Sequence, residues 1–433
     1  MRTESKKVEH MTAILGGAMR VEEFIKAIPK TDLHVHLDGS LRLETLIQLA
    51  KERNVQLPSY TVTGLCELVF KERYQSLEEY LEGFKYTGAV LQDEEALEQV
   101  AYELAEDNYA EGVRYFEVRF APQLHANERM HLPEVLKAVN RGLEKATKKW
   151  NRRPEVRSGK EPEYAYAITV CALRYFNENM SPYYRELMRV HRFTPRDKLY
   201  GLGSLELARA AVAVRDRYGL PITGFDLAGR ERGYPAEDHW DAYDYAHRNF
   251  LKKTVHAGEA YGPESIFQAI TDLHADRIGH GYYLFNTRMI KNKAIRDKKA
   301  YVKALAEYIA DRRITIEVCL TSNLQTNPGA TDLSQHAFKD MRAMRLSTTL
   351  CTDNRLVSNT TVTKEIMLAV KHFHLSAKEL KNIIVYGFKR SFYPGSYIKK
   401  REYVRKVIDY YEELEKQWRP PAGFWSDTEG PGI

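Results

Sequence analysis

Short β-branched or apolar runs punctuate the chain, each closing in polar or glycine-rich residues, and longer stretches with apolar positions at helical spacing separate them. Eight runs predict strands: Thr31 to His36, Val113 to Arg119, Tyr166 to Cys171, Ile222 to Leu227, Lys253 to His256, Arg277 to His280, Thr315 to Leu320 and Ser347 to Thr352. Leu43, Leu46, Ile47 and Ala50, following an N-cap at Ser40, predict an amphipathic helix, as do Leu97, Val100 and Leu104. Eight strand–helix alternations predict an α/β fold, a (β/α)8 TIM barrel of parallel strands with catalytic side chains at the strand C-termini. The 433 residues exceed the usual single domain, but such barrels often pass about 250 residues. The chain therefore divides into a polar leader (1–20), a barrel (21–415) with extra helices between the first two strands, and a Pro/Gly-rich tail (416–433).

Composition narrows the function classes. Lys+Arg 65 against Asp+Glu 59 gives a net charge of +6, without the dense basic stripe of a dedicated nucleic-acid binder, so a small polar substrate is favoured. The basic run from Lys148 to Lys160 reads as a solvated loop before the third strand rather than a patch for an anionic partner. Cys66, Cys171, Cys319 and Cys351 form no CxxC pair and read as reduced thiols of a cytoplasmic protein. The apolar stretch around Ile14 is too short for a secretory signal or a membrane span. No internal repeat is present, and the oligomeric state cannot be read from order alone.

Candidate chemistry gathers at the predicted strand ends. In His34-Val35-His36 the two imidazoles project from one strand face about 6 to 7 Å apart, half of a metal site or simply the end of a strand. His256-Ala257-Gly258-Glu259 places an imidazole and then a carboxyl after the fifth strand, one for metal and one for protons, though either residue also caps helices. In Arg277-Ile278-Gly279-His280-Gly281 the flanking glycines let the backbone approach a ligand and leave the imidazole in the barrel mouth. Thr352-Asp353-Asn354 offers a hard oxygen and an amide, or merely a turn. Taken together, His34, His36, His256 and Asp353 make a compact N/O set suited to one zinc, which would lower the pKa of a water, with Glu259 and His280 handling protons.

These motifs, with Val118-Arg119-Phe120-Ala121-Pro122 and Asp226-Leu227-Ala228-Gly229, make the chain from Pro29 to about Tyr411 resemble the adenosine deaminase family of metal-dependent barrel hydrolases. The resemblance implies that His34, His36, His256 and Asp353 hold one zinc, Asp353 also accepting a hydrogen bond from the nucleophilic water. It further implies that a protonated Glu259 donates to purine N1, and that His280 orients the attacking oxygen without being a primary ligand. Gly229 N–H would meet purine N3, Asp38 the ribose, and His36 would also border the substrate. The helical segment from Leu57 to Phe84 would form an apolar lid over the base, with Leu65 and Phe70 as contacts or, the favoured reading, plain helix core. Where many members carry two aspartates, this chain has Asp353-Asn354, which bears on contact with purine N7.

The implied reaction is deamination of adenosine or 2′-deoxyadenosine to the inosine form, with a purine nucleoside as partner and neither nucleic acid nor membrane. AMP, a modified adenosine, adenine or a futalosine-like nucleoside are alternative substrates. AMP would need a cationic phosphate cradle, for which Arg174, Arg230 and Arg355 are candidates. A catalytically silent binding protein on the same scaffold is the alternative from another class. The His-x-Glu and Pro-Cys-x-x-Cys signature of polynucleotide deaminases is absent.

Overall fold

The computed structural model describes residues 21–418 apart from 328, 330 and 331. Its strands are β1 (Lys30–His36), β2 (Val113–Phe120), β3 (Ala165–Leu173), β4 (Ile222–Ala228), β5 (Lys252–Ala257), β6 (Arg277–His280), β7 (Thr315–Val318) and β8 (Thr348–Leu350). They lie in sequence order in one parallel sheet, with helices in every crossover. Each agrees with its predicted run to within about two residues, because strands covered on both faces stand out as apolar runs between polar turns. The sheet closes on itself beyond the short β8, where His36 N donates to Asp353 O (2.7 Å) and Asp353 N to His34 O (2.7 Å). Asp32 reinforces this seam by accepting from Thr352 Oγ1 at 2.6 Å.

The helices form where the periodicity predicts. Glu94–Ala110 buries Leu97, Val100 and Leu104 against the sheet and is capped by Asp93, which accepts from Ala96 N at 2.8 Å. Leu43–Glu52 buries Leu46 and Ala50, but Ser40 is not its cap: the helix starts beyond Arg42, and Ser40 Oγ instead accepts from Arg355 N (3.1 Å), tying the loop after β1 to the loop after β8. The lid region is helical, as expected. It breaks into Val62–Leu68, Leu77–Leu81 and Phe84–Val90, and Leu65 and Phe70 pack into the core.

Residues 148–160 are not a loop. Lys148 and Lys149 end the helix Leu132–Asn151, and their charges are met by Glu144 and Glu106. The last helix, Tyr397–Trp418, runs past the expected start of the tail at 416, while the leader and residues 419–433 lie outside the described residues. Cys171, Cys319 and Cys351 are buried free thiols, and Cys66 is free but exposed. Among the described residues, no helix is long and apolar enough to cross a membrane.

The barrel interior is not the usual stack of aliphatic layers. Glu117 and Arg119 of β2, Asp226 of β4, Arg277 of β6 and Glu317 of β7 are fully buried in a continuous ion network. Buried charges survive only when paired and hydrogen-bonded, and here both requirements are met. Arg119 bridges Asp226 (2.9 Å) and Glu317 (2.8 Å), while Arg277 reaches Glu317 (2.6 Å) and Glu117.

Candidate active site

At the C-terminal mouth of the barrel, four imidazoles and a carboxylate converge. His34 and His36 come from the end of β1, His256 from β5, His280 from β6, and Asp353 follows β8. His36 Nε2 lies 3.2 Å from His256 Nε2 and 3.4 Å from Asp353 Oδ1, which is 3.3 Å from His34 Nε2. Tetrahedral donors about 2.0–2.1 Å from a common centre stand about 3.3 Å apart, and these three separations match that spacing. His280 also falls in reach, since one ligand atom from each of His34, His256, His280 and Asp353 lies within 4.8 Å of the others. His36 makes two of the three close contacts, to His256 and to Asp353, and the third joins Asp353 to His34.

The donor atoms are aimed by carboxylates that sequence reading did not find. Glu317 accepts from His34 Nδ1 (2.8 Å), and Asp226 from His256 Nδ1 (3.1 Å), which turns both Nε2 atoms toward the common centre. His34 Nε2 is buried without a hydrogen-bond partner. Burial holds the pKa of His36 and His280 well below the usual imidazole range and lowers that of His256, so these rings are neutral donors. His34 differs: burial and Arg119 lower its pKa, but Asp353 and Glu317 prevail and raise it. The position thus favours a positive charge, which a cation would supply in place of the proton. Ser322 Oγ fixes Asp353 by donating to Oδ2 at 2.6 Å.

Two of these positions adopt backbone that side chains rarely accept. His280 (φ 66°) and Asp353 (φ 61°) lie in the left-handed region, a strain that persists only where the surroundings enforce it. The glycines around His280 leave no room for a side chain. A Cβ on Gly279 would lie 3.0 Å from His34 Cε1, and one on Gly281 would lie 2.9 Å from Ile316.

Glu259 is buried beside this cluster, its Oε1 3.8 Å from His280 Nε2. Burial, then the nearby carboxylates Asp353 and Glu231, push its pKa well above the usual range and so favour the protonated, neutral form. The loop that carries it is held by Glu231. That carboxylate accepts from the backbone N–H groups of Gly258 (2.8 Å), Glu259 (3.1 Å), Ala260 (2.7 Å) and Tyr261 (3.0 Å), and from Ser265 Oγ (2.5 Å). Nothing in the local sequence signals this clamp, because its donors lie 27 to 34 residues away.

A cavity of about 320 Å³ joins these residues to the lid. His36, Asp38, Gly229, His256, Glu259, His280, Asp353 and Asn354 all line it, so of the residues nominated for metal binding, proton transfer and purine or ribose contact only the deeper His34 does not border this space. Its apolar wall comes from Leu77, Tyr80, Leu81 and Phe84, not from Leu65 or Phe70. Burial pushes the Asp38 carboxyl up to about 7. Asn354 Nδ2 donates to Tyr80 OH (2.8 Å), which pairs with Ser358 Oγ (2.7 Å), so one amide hydrogen is already committed to the lid.

The proposed phosphate cradle is not assembled. Arg355 pairs with Glu111, and Arg174 donates to the carbonyls of Tyr234 (2.7 Å) and His256 (2.9 Å). Only Arg230 of the three lines the cavity, at its mouth and 3.7 Å from Glu78.

Comparison with known proteins places this arrangement. The profile of the family described as adenosine deaminase matches residues 29–410. Adenosine deaminase 1 of Streptomyces coelicolor is 35% identical over 398 residues, covering 91% of this chain and 90% of the relative. Among solved structures, a zinc-bound amidohydrolase from Burkholderia ambifaria has a TM-score of 0.71 at 18% identity (92% of this chain, 94% of the other) and shares the fold. The Arabidopsis N6-mAMP deaminase has a TM-score of 0.67 at 25% identity (89% and 99%). A profile match across the whole barrel and a relative matched over nine-tenths of both lengths make the chain a member of the adenosine deaminase family, and a hydrolytic deaminase.

Proposed function

We propose that the protein binds one zinc per chain and deaminates adenosine and 2′-deoxyadenosine, releasing ammonia. The observation that carries this reading is a buried Glu259, in surroundings that favour its protonated form, beside a three-imidazole, one-carboxylate donor set at the end of a cavity. His34, His36, His256 and Asp353 would hold the metal. When bound, zinc supplies the Lewis acidity that brings the pKa of a water toward neutrality. Glu259 donates its proton to purine N1, which withdraws electrons from C6 and opens it to attack. His280 holds the attacking water through its otherwise unpartnered Nε2 and stabilises the charge that develops, and Asp353 accepts a hydrogen bond from the same water. Gly229 N–H meets N3, Asp38 meets the ribose, and His36 borders the base. Over one turnover the water oxygen ends on C6 and the Glu259 proton stays on N1, while of the two water protons one leaves with ammonia and the other restores Glu259. The buried free thiols fit a reducing, cytoplasmic setting.

Nucleosides should be preferred to nucleotides. Repulsion by Asp38 is weaker than its sequence position suggests, because a carboxyl with a pKa of about 7 is half neutral at physiological pH. The preference rests instead on the lack of an assembled cradle, since Arg174 and Arg355 are both engaged. A panel of adenosine, 2′-deoxyadenosine, AMP, adenine and N6-modified adenosines, followed by loss of aminopurine absorbance, is expected to give the highest kcat/KM for the two nucleosides. Equal or better turnover of AMP would replace this reading with a nucleotide substrate gripped through Arg230.

Asn354 should contribute its second amide hydrogen to N7. Asn354→Ala is expected to lower kcat/KM by an amount equivalent to about 1–3 kcal/mol, the usual cost of leaving one buried partner unpaired. With 7-deazaadenosine the wild type should pay a similar penalty and the variant little more. Simple addition of the two penalties would show that Asn354 serves only the lid, through Tyr80.

A further inference from the structure

A second cavity, of about 460 Å³, opens at the opposite end of the barrel, among the N-terminal ends of β5, β6 and β7. Lys252 and Lys253 enter it from the start of β5, and Arg312 and Arg313 from the turn before β7. Lys389 and Arg390 come from the end of the helix Ala377–Arg390, and Lys400 from the last helix. Asp276 is the one carboxylate among the lining residues, and Lys253 already occupies it at 3.2 Å. Lys400 Nζ donates to Ser391 O (2.6 Å), and its pKa is lowered to about 8 by burial and, against the pull of Glu117, by Arg277, Lys252 and Arg390.

Five cations, Lys252, Arg312, Arg313, Lys389 and Arg390, therefore meet in one concavity with no ion-pair partner among the described residues. Arg390 Nε is buried and lacks any hydrogen-bond partner. The contrast with the basic run at 148–160 is instructive, because there neighbouring carboxylates neutralise the lysines. Here the seven Lys and Arg side chains exceed the single carboxylate by as much as the whole chain's net charge of +6. Such a concentration of like charge is costly unless a counter-charge is bound, and guanidinium groups are suited to bidentate contact with phosphate oxygens. A concavity of this size, rather than an extended stripe, fits a small molecule. Tyr308, half-exposed on the same wall, offers a ring on which a base could stack.

We propose that this cavity is a binding site for a small polyphosphate anion, the chemistry shared by inorganic triphosphate and nucleoside triphosphates, distinct from the purine site at the other mouth. The test is calorimetric titration of the purified, metal-loaded protein with inorganic triphosphate, which carries no base and cannot occupy a purine site, and with inorganic phosphate and ATP. Triphosphate is expected to bind with a stoichiometry of one, more tightly than phosphate and less tightly as salt is raised. Arg313→Glu with Lys389→Glu should weaken it by about tenfold or more while deaminase activity is retained, which also reports on folding. The single variants Arg313→Gln and Lys389→Gln give the same comparison if the double variant does not fold. Tighter binding of ATP that is lost in Tyr308→Ala assigns the nucleotide as source, and equal binding assigns bare polyphosphate. Absence of triphosphate binding at millimolar concentration, or equal affinity in wild type and variants, would overturn the proposal. Stripping of the active-site metal by triphosphate would affect wild type and variants alike, and is thereby distinguished from binding in this cavity.

Discussion

Glu259→Gln is expected to keep the full metal complement and to lower kcat/KM by at least about 10²- to 10⁴-fold, the usual contribution of a positioned proton donor. Glutamine preserves the shape of the side chain and can hydrogen-bond to N1, but it cannot transfer a proton. The effect should exceed that of a displaced hydrogen bond because the environment has been arranged to keep the acid neutral. Burial and the adjoining Asp353 and Glu231 disfavour its ionised form, and the Glu231 clamp fixes the backbone from which it projects. Steady-state kinetics with metal analysis of the same preparation decide the matter. Near-wild-type turnover by the fully loaded variant would assign proton donation to another group, with His280 next in line at 3.8 Å.

His34→Ala should lose metal and activity together, since the donor set then lacks the imidazole that sits deepest and is gripped most firmly from behind. A graded companion is Glu317→Gln. It leaves all four ligands in place but removes the charge that orients His34, and such partners typically contribute about 10- to 100-fold in metal affinity. Glu317 also neutralises Arg119 and Arg277, so the thermal midpoint must be followed alongside metal affinity by chelator competition. An active, zinc-replete His34→Ala would show that the metal, if required, is held by the His36, His256, His280 and Asp353 side chains alone.

The eight strands and the residues at their ends were legible because a parallel barrel writes both into local sequence. Doubly buried strands become apolar runs, and functional side chains collect where those runs stop. The interior network was not legible. Glu117, Arg119 and Glu317 look like the polar half of an alternating strand, and only closure of the barrel turns that polar half inward. Glu231 escaped notice for a related reason: one carboxylate gathering four backbone amides is a tertiary event that leaves no spacing to read. Leu65 and Phe70 are the plain core that the sequence reading favours, but the residues that do wall the cavity could not be singled out, because Leu65 and Phe70 are as apolar as Leu81 and Phe84. Which pair meets the cavity depends on how the broken helices turn.

The hydrogen bonds between His34, His36 and Asp353 at the barrel seam also bear on how the chain is made. Ribosomes deliver this protein from the N-terminus, so the β1 imidazoles exist long before the oxygen donor that completes their ligand set, at residue 353. Until the eighth strand emerges, the earlier ones form an open sheet with an unpaired edge at β1, and that edge carries two of the four proposed ligands. The nascent chain thus presents an incomplete chelate, and the act that removes the aggregation-prone edge is the same one that completes the ligand set. The pairing that closes the barrel is therefore also the one that brings the oxygen donor to the β1 imidazoles.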